Sequence, residues 1–214
     1  MHEPILEGAV RTASMAAGEV IAVSTTSFEA QSYQLNEAPA FGSLVLTCGP
    51  DGLAHYGLCR GTETGGIEPG RHPMAWGRPD DEVDVYARQP QLAHVLRTTF
   101  QCVLVGFRGP DGAPVQRVPP RPPRVHERVC LATDVQVRAF FSDLAFLRFL
   151  LRASLPNVED LMAASIVHGY QANGRERRFL VNAGRAVARL LATDHERLTA
   201  VLELLTAAEE APTP

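Results

Sequence analysis

The sequence changes its hydrophobic period once, near residue 133. Before that point, short runs rich in β-branched and aromatic residues are broken by Gly, Pro, Asn and Asp, which is typical of an all-β unit. After it, apolar residues recur every three or four positions, which indicates amphipathic helices. We therefore predict an α+β fold, with a small antiparallel, Greek-key-like β-barrel over residues 18–133 and a helical bundle over residues 134–207. Residues 1–17 should form an N-terminal extension and residues 208–214 a disordered tail.

The β-rich half predicts seven strands, which cover residues 19–27, 28–35, 41–48, 53–60, 99–108, 114–118 and 128–132. The turn Gly49-Pro50-Asp51-Gly52 predicts a hairpin between the third and fourth of them, since Gly and Pro supply the backbone geometry of tight turns. Residues 61–82 are rich in Gly, Pro and charge, and we expect a long loop there that is either functional or a mobile insertion. Residues 90–97 predict a short helix that begins with a proline.

Capping residues place the ends of the predicted helices. Thr133 or Asp134 can cap the first helix, Ser142 the second and Asn157 the third, because short polar side chains accept hydrogen bonds from the first turn. The pair Asn173-Gly174 should end the third helix. Two further helices are expected over residues 175–192 and 194–207.

Composition excludes several kinds of chemistry. All 20 basic residues are arginine, so a lysine Schiff base, a lysine general base and a phosphate loop ending in Gly-Lys-Ser/Thr are ruled out. The net charge of −4 argues against a general binder of the nucleic-acid backbone. No nucleophile motif of the G-x-S-x-G type occurs, and we predict neither catalytic residues nor a cofactor.

Metal, membrane and redox features are equally sparse. No histidine lies three or four residues from another, and the acidic run at residues 80–84 lacks the spacing of a calcium loop, so no metal site is predicted. No apolar run is long enough to cross a bilayer. The four cysteines are widely spaced in strand-like segments, and we interpret them as buried thiols of a cytoplasmic protein.

Three segments, residues 21–46, 88–106 and 119–141, together resemble the HAS barrel. The pieces that carry the resemblance are Pro-Gln-Leu, Leu-Arg-Thr-Thr and Pro-Pro-x-Pro-Pro, in this order. The HAS barrel precedes the motor domain of HerA-type translocases and is related to the N-terminal barrel of the ATP synthase α and β subunits. HerA-type proteins continue into a RecA-like ATPase, whereas residues 134–214 here are helical and lack a Walker A motif.

The whole chain, including residues 179–191, looks like a stand-alone, cyanobacterial-type group of HAS-barrel proteins without that ATPase domain. The resemblance implies a non-catalytic docking or assembly module, because such barrels form the collar of ring assemblies. The partners that it implies are a ring ATPase, a nuclease complex or an ATP synthase subunit. It leaves the oligomeric state open.

A line of polar residues in the fourth long helix is the main candidate binding surface. Its members share one helix face and are Arg175, Arg178, Asn182, Arg185 and Arg189. Guanidinium groups bind phosphates and carboxylates well, so this face could dock an acidic protein or nucleic acid. The alternative is a solvated face, or one that is paired with nearby acids, of which Glu176, Asp194, Glu196 and Glu203 are the closest in sequence.

Trp76, the only tryptophan, is a second candidate contact, because exposed aromatic side chains often anchor interfaces. It could equally pack against the barrel. Three functions therefore stay open at this point. The first is a docking module, the second is a nucleic-acid accessory in DNA processing that uses the arginine face, and the third is an enzyme with a site under residues 61–82.

Overall fold

All strands precede the five longest helices in the computed structural model, as the change of period predicts. The structure describes residues 15–49, 52–68, 70, 73–75, 85–109, 112–153 and 155–210. The strands are β1 (Ala16–Val23), β2 (Ser27–Ser32), β3 (Leu44–Cys48), β4 (His55–Gly66), β5 (Leu96–Arg108), β6 (Pro114–Val115) and β7 (Arg128–Leu131). The α+β class is therefore confirmed.

The seven strands form one antiparallel sheet in the order β2-β1-β7-β3-β4-β5-β6. Strand β2 also pairs with β5, so six strands close a ring and β6 extends beyond it. The register shifts within the β1–β2, β1–β7 and β4–β5 pairs, and the ring is therefore not a regular barrel. The turn that was predicted after Cys48 does join β3 to β4, although its Pro50 and Asp51 lie outside the described residues.

The predicted loop over residues 61–82 is wrong in its first part. Residues 61–66 continue β4 and pair with β5 from Gly61 opposite Gln101 to Gly66 opposite Leu96. Strand β5 consequently begins at Leu96, and the helix expected over residues 90–97 shrinks to a 3₁₀ turn, Pro90–His94. The Gly-rich sequence hid this strand, because glycine has low strand propensity and weakens a strand, whereas here β5 satisfies the backbone hydrogen bonds.

The helices are α1 (Val85–Arg88), α2 (Asp134–Phe140), α3 (Leu147–Arg152), α4 (Val158–Ala172), α5 (Arg177–Leu190) and α6 (His195–Glu210). Thr133 caps α2 through a capping box with Gln136, as predicted. The predicted cap at Ser142 is wrong, because α3 begins after Phe146 and no side chain caps it. No helix in the described part of the chain is long and apolar enough to span a membrane.

Both ends of α4 lie at the residues that the sequence predicts. Asn157 precedes α4 as predicted, but in the left-handed region, at φ 54°, and its side chain makes no capping hydrogen bond. Asn173 and Gly174 follow the last residue of α4, as predicted. Helix α6 continues to Glu210, so residues 208–210 are helical rather than part of a disordered tail.

The strands alternate between two cores, because successive side chains point to opposite faces of a sheet. One face lines the inside of the ring, where a small core forms from Val20, Phe28, Ala30, Val45, Cys59, Phe100, Cys102, Leu104 and Val129. The other face joins the helices in one larger core, to which β3 contributes Leu44 and Leu46 and α2 contributes Phe140. The helical layer thus packs directly against the outside of the ring.

Candidate docking surface

Helix α5 carries the polar face that the sequence predicts. Four predicted residues are exposed along it: Arg178, Asn182, Arg185 and Arg189. With a rise of about 1.5 Å per residue, they present a donor group roughly every 5–6 Å over a length of about 16 Å. The opposite side of the helix is buried at Leu180, Ala183 and Val187. We call these four exposed residues the arginine face, and its helix is anchored in the larger core.

Arg175 is a correction to the predicted set. It lies before α5, in the left-handed region at φ 58°, next to Gly174 at φ 66°. Its N–H donates to the carbonyl of Tyr170 and closes the end of α4. Arg175 is half-buried, and therefore it belongs to the turn between α4 and α5 rather than to the arginine face.

The expected neutralising acids do not pair with this face. Asp194 lies 4.0 Å from the Arg197 guanidinium, which also binds Glu159. Arg177, beside the face, pairs with Glu209 of α6 at 3.3 Å. Within the described part of the chain, no ion pair involves Arg178, Arg185 or Arg189. Among the described residues, the arginine face is therefore not neutralised by ion pairs, and solvation or a partner accounts for its exposed charges.

The chemistry of the arginine face is recognition of anions. Each guanidinium presents a planar fork of donors that fits a carboxylate or a phosphate, and Asn182 adds an amide that donates and accepts. The charge is permanent at physiological pH. The exposed face itself offers neither a nucleophile nor a general base, so it can bind an anionic surface but not transform it.

Sequence reasoning missed a buried polar cluster under the connection from β6 to β7. The Nε2 of His55 donates to the carbonyl of Arg121 at 2.9 Å, and its Nδ1 is hydrogen-bonded to the Thr47 hydroxyl, also at 2.9 Å. Glu127 lies 4.0 Å from Nδ1 and contacts Arg124 at 3.7 Å. Only the three-dimensional fold joins these residues, because they come from β3, β4 and the proline-rich connection.

This cluster is an anchor rather than a catalytic site. Thr47, His55 and Glu127 are all buried, and a backbone carbonyl occupies the Nε2 that would have to face a substrate. The cluster instead ties residues 119–127 to the sheet. That segment connects β6 to β7, as predicted for its Pro-Pro-Arg-Pro-Pro-Arg sequence.

Replacing Thr47 with valine should lower the free energy of unfolding by about 1–3 kcal/mol, because His55 would lose both of its contacts with the Thr47 hydroxyl. The measurement is urea unfolding followed by circular dichroism. Thr47→Ser is the matched control, since it keeps the hydroxyl. Equal stability of the two variants would contradict a contribution from these hydrogen bonds.

Other predicted features lie outside the described residues. Trp76 and the acidic run at residues 80–84 are among them. The last part of the loop predicted over residues 61–82, which is residues 76–82, also lies outside the described residues. Where the structure does describe the chain, no group of three or more His, Cys, Asp or Glu side chains is placed to hold a metal ion.

Comparison with known proteins adds no relative: no family model matches the chain, and no curated protein matches it. The resemblance to the HAS barrel therefore rests on three sequence segments alone, within residues 21–141. The arginine face of α5 is the candidate binding surface of the described residues.

Proposed function

We propose that the protein is a non-catalytic docking or assembly module that binds a partner protein through the arginine face. The observation that carries the proposal is the unpaired state of Arg178, Arg185 and Arg189 among the described residues, on a helix whose other side is buried. The helix holds the backbone of these residues in place before a partner binds, so only their side chains have to be ordered on binding. An acidic protein surface is the complementary partner.

We propose further that the ring of strands is an irregular HAS-type barrel. Strands β3, β4 and β5 are consecutive neighbours, and β7 returns beside β3, an order that supports Greek-key-like connections. Closure of the ring by β2 and β5 also supports the relationship, since closed barrels pair their own edge strands and leave their loops for recognition. The partners that follow from this relationship are a ring ATPase, a nuclease complex or an ATP synthase subunit.

Charge favours a protein partner over nucleic acid. The chain carries a net charge of −4, and residues 1–134 hold 11 arginines against 15 acidic residues. A long polyanion would meet this repulsion beyond the arginine face, whereas a compact acidic patch would not. Nucleic-acid binding through the same face is the alternative function.

Reversing charge at Arg178 and Arg185 to glutamate should weaken partner binding about tenfold or more, because attraction becomes repulsion at two neighbouring contacts. The wild type and the variant are used as baits in native lysate, with and without nuclease. A partner identified by mass spectrometry is then purified and its dissociation constant measured. Arg148→Glu with Arg152→Glu is the matched control, because both residues are exposed, four apart, and on α3 instead.

Each outcome separates the hypotheses. Recovery of a defined subunit that survives nuclease, is lost with the α5 reversal and is kept with the α3 reversal supports the docking module. Recovery that nuclease abolishes, with affinity that falls steeply with salt, favours the nucleic-acid accessory. A partner that binds both variants equally well rules out the arginine face.

A further inference from the structure

The four cysteines, far apart in sequence, meet as two pairs across neighbouring strands. Cys59 of β4 lies directly opposite Cys102 of β5. Cys48 of β3 lies beside Cys130 of β7. None of the four is in a disulfide, and Cys48 is exposed. The expectation that all four thiols are buried is therefore wrong for Cys48.

The strand register explains why Cys48 and Cys130 touch. Leu46 is opposite Cys130 and Cys48 is opposite Arg128, so the two cysteines are diagonal neighbours on the same face of the sheet. Their side chains share a hydrogen bond. Cys130 is 6% exposed, whereas Cys48 is open to solvent at the last position of β3. One sulfur is therefore accessible and the other is covered beside it.

Two guanidinium groups act on this pair. Arg128 is opposite Cys48 in the register, and the positive charges of Arg108 and Arg128 favour the Cys48 thiolate. The hydrogen bond with Cys130, followed by partial burial, outweighs them and raises the pKa of Cys48 above its ordinary value. Cys48 therefore rests as a thiol and has to lose its proton before it attacks a disulfide. The two guanidinium groups and the solvent exposure of Cys48 favour that loss.

The second cysteine pair provides an internal comparison. Cys59 and Cys102 face each other inside the ring, and both side chains are fully buried. The hydrogen bond with Cys102 lowers the pKa of Cys59, while burial raises that of Cys102. A solute cannot reach either sulfur without opening the sheet. Both pairs therefore bring two cysteines together, but only the Cys48–Cys130 pair has a sulfur that solvent can reach.

We propose that Cys48 and Cys130 form a redox-active pair, which a low-molecular-weight disulfide such as glutathione disulfide converts to a disulfide bond between β3 and β7. This site is independent of the arginine face. Diagonal neighbours begin further apart than a disulfide allows, so Cys48 must move toward Cys130. Cys48 is the last residue of β3, so this movement costs little free energy. A disulfide that is exposed and strained in this way is readily reduced.

The reaction proceeds by two exchanges. Cys48 loses its proton to solvent, and its thiolate attacks one sulfur of glutathione disulfide, whose S–S bond breaks and releases a glutathione thiolate. Cys130 then loses its own proton to solvent and attacks the Cys48 sulfur, which releases the second glutathione thiolate. Both glutathione thiolates take up protons at neutral pH. The protein loses two hydrogen atoms, and the two electrons reduce one glutathione disulfide to two glutathione molecules.

The test is incubation of the folded full chain with glutathione disulfide, followed by alkylation, denaturation and peptide mapping by mass spectrometry. We expect a Cys48–Cys130 disulfide to form at least about tenfold faster than a Cys59–Cys102 disulfide, because reactivity follows access to a sulfur. Added reduced glutathione should reverse it. Cys130→Ser should stop the reaction at Cys48 bound to one glutathione.

Two further variants keep the test decisive. Cys48→Ala changes an exposed residue, so it should fold normally and lose the disulfide. Cys59→Ala should leave it unchanged. Glutathione retained on Cys48 of the wild type, a Cys48–Cys48 link between two molecules, or preferential oxidation of Cys59 with Cys102 would each overturn the proposal.

Discussion

Replacing Phe140 with alanine should lower the free energy of unfolding by about 3–5 kcal/mol. Phe140 is fully buried, and its ring centroid lies 4.8 Å from that of Tyr56 on β4 and 5.4 Å from that of Phe146 before α3. The substitution removes apolar contacts on both sides at once and leaves a cavity where the sheet meets the helices.

The measurement is equilibrium unfolding in urea, monitored by circular dichroism at one wavelength that reports helix and at one that reports strand. Phe41→Ala is the control, because Phe41 is 43% exposed and its removal leaves no closed cavity. We expect both signals to shift together in Phe140→Ala, since the sheet and the helices share one core. A shift in the helical signal alone would mean that residues 18–133 and 134–207 unfold as separate domains.

Local chemistry made part of this fold predictable. The capping box at Thr133 and the stop at Asn173 need only a few neighbouring residues, so the sequence indicates them directly. The strand at residues 61–66 depends instead on its partner β5, which supplies hydrogen bonds that composition does not reveal. Local sequence therefore predicts helix ends better than it predicts the length of paired strands.

The same distinction applies to the candidate sites. The arginine face follows from helical spacing alone, and only Arg175 was misplaced, because the left-handed turn ahead of α5 delays the helix by two residues. The contact of Cys48 with Cys130 and that of His55 with Thr47 depend on strand register and chain reversal. Periodicity carries no information about either, so the redox pair and the buried anchor emerge only from the folded chain.

The remaining prediction concerns Gly42, where the chain between β2 and β3 touches α4. Its φ is +81°, and a Cβ added there would lie 2.6 Å from the Ala164 Cβ and 2.8 Å from the Ser165 nitrogen. Two separate effects therefore disfavour alanine at this position. The left-handed backbone costs about 1–2 kcal/mol. Overlap with the α4 backbone adds about 1–3 kcal/mol, because a helix cannot yield as a flexible side chain can.

We expect Gly42→Ala to destabilise the protein by about 2–5 kcal/mol in total, measured by urea unfolding. Gly112→Ala is the matched control, because Gly112 has the same φ of +81° and an added Cβ would meet nothing within 4 Å. The difference between the two variants isolates the contact with α4. Equal losses would mean that α4 does not press on this turn. A larger loss of stability for Gly42→Ala would establish that the turn before β3 packs against α4 and helps to position the helical layer that carries the arginine face.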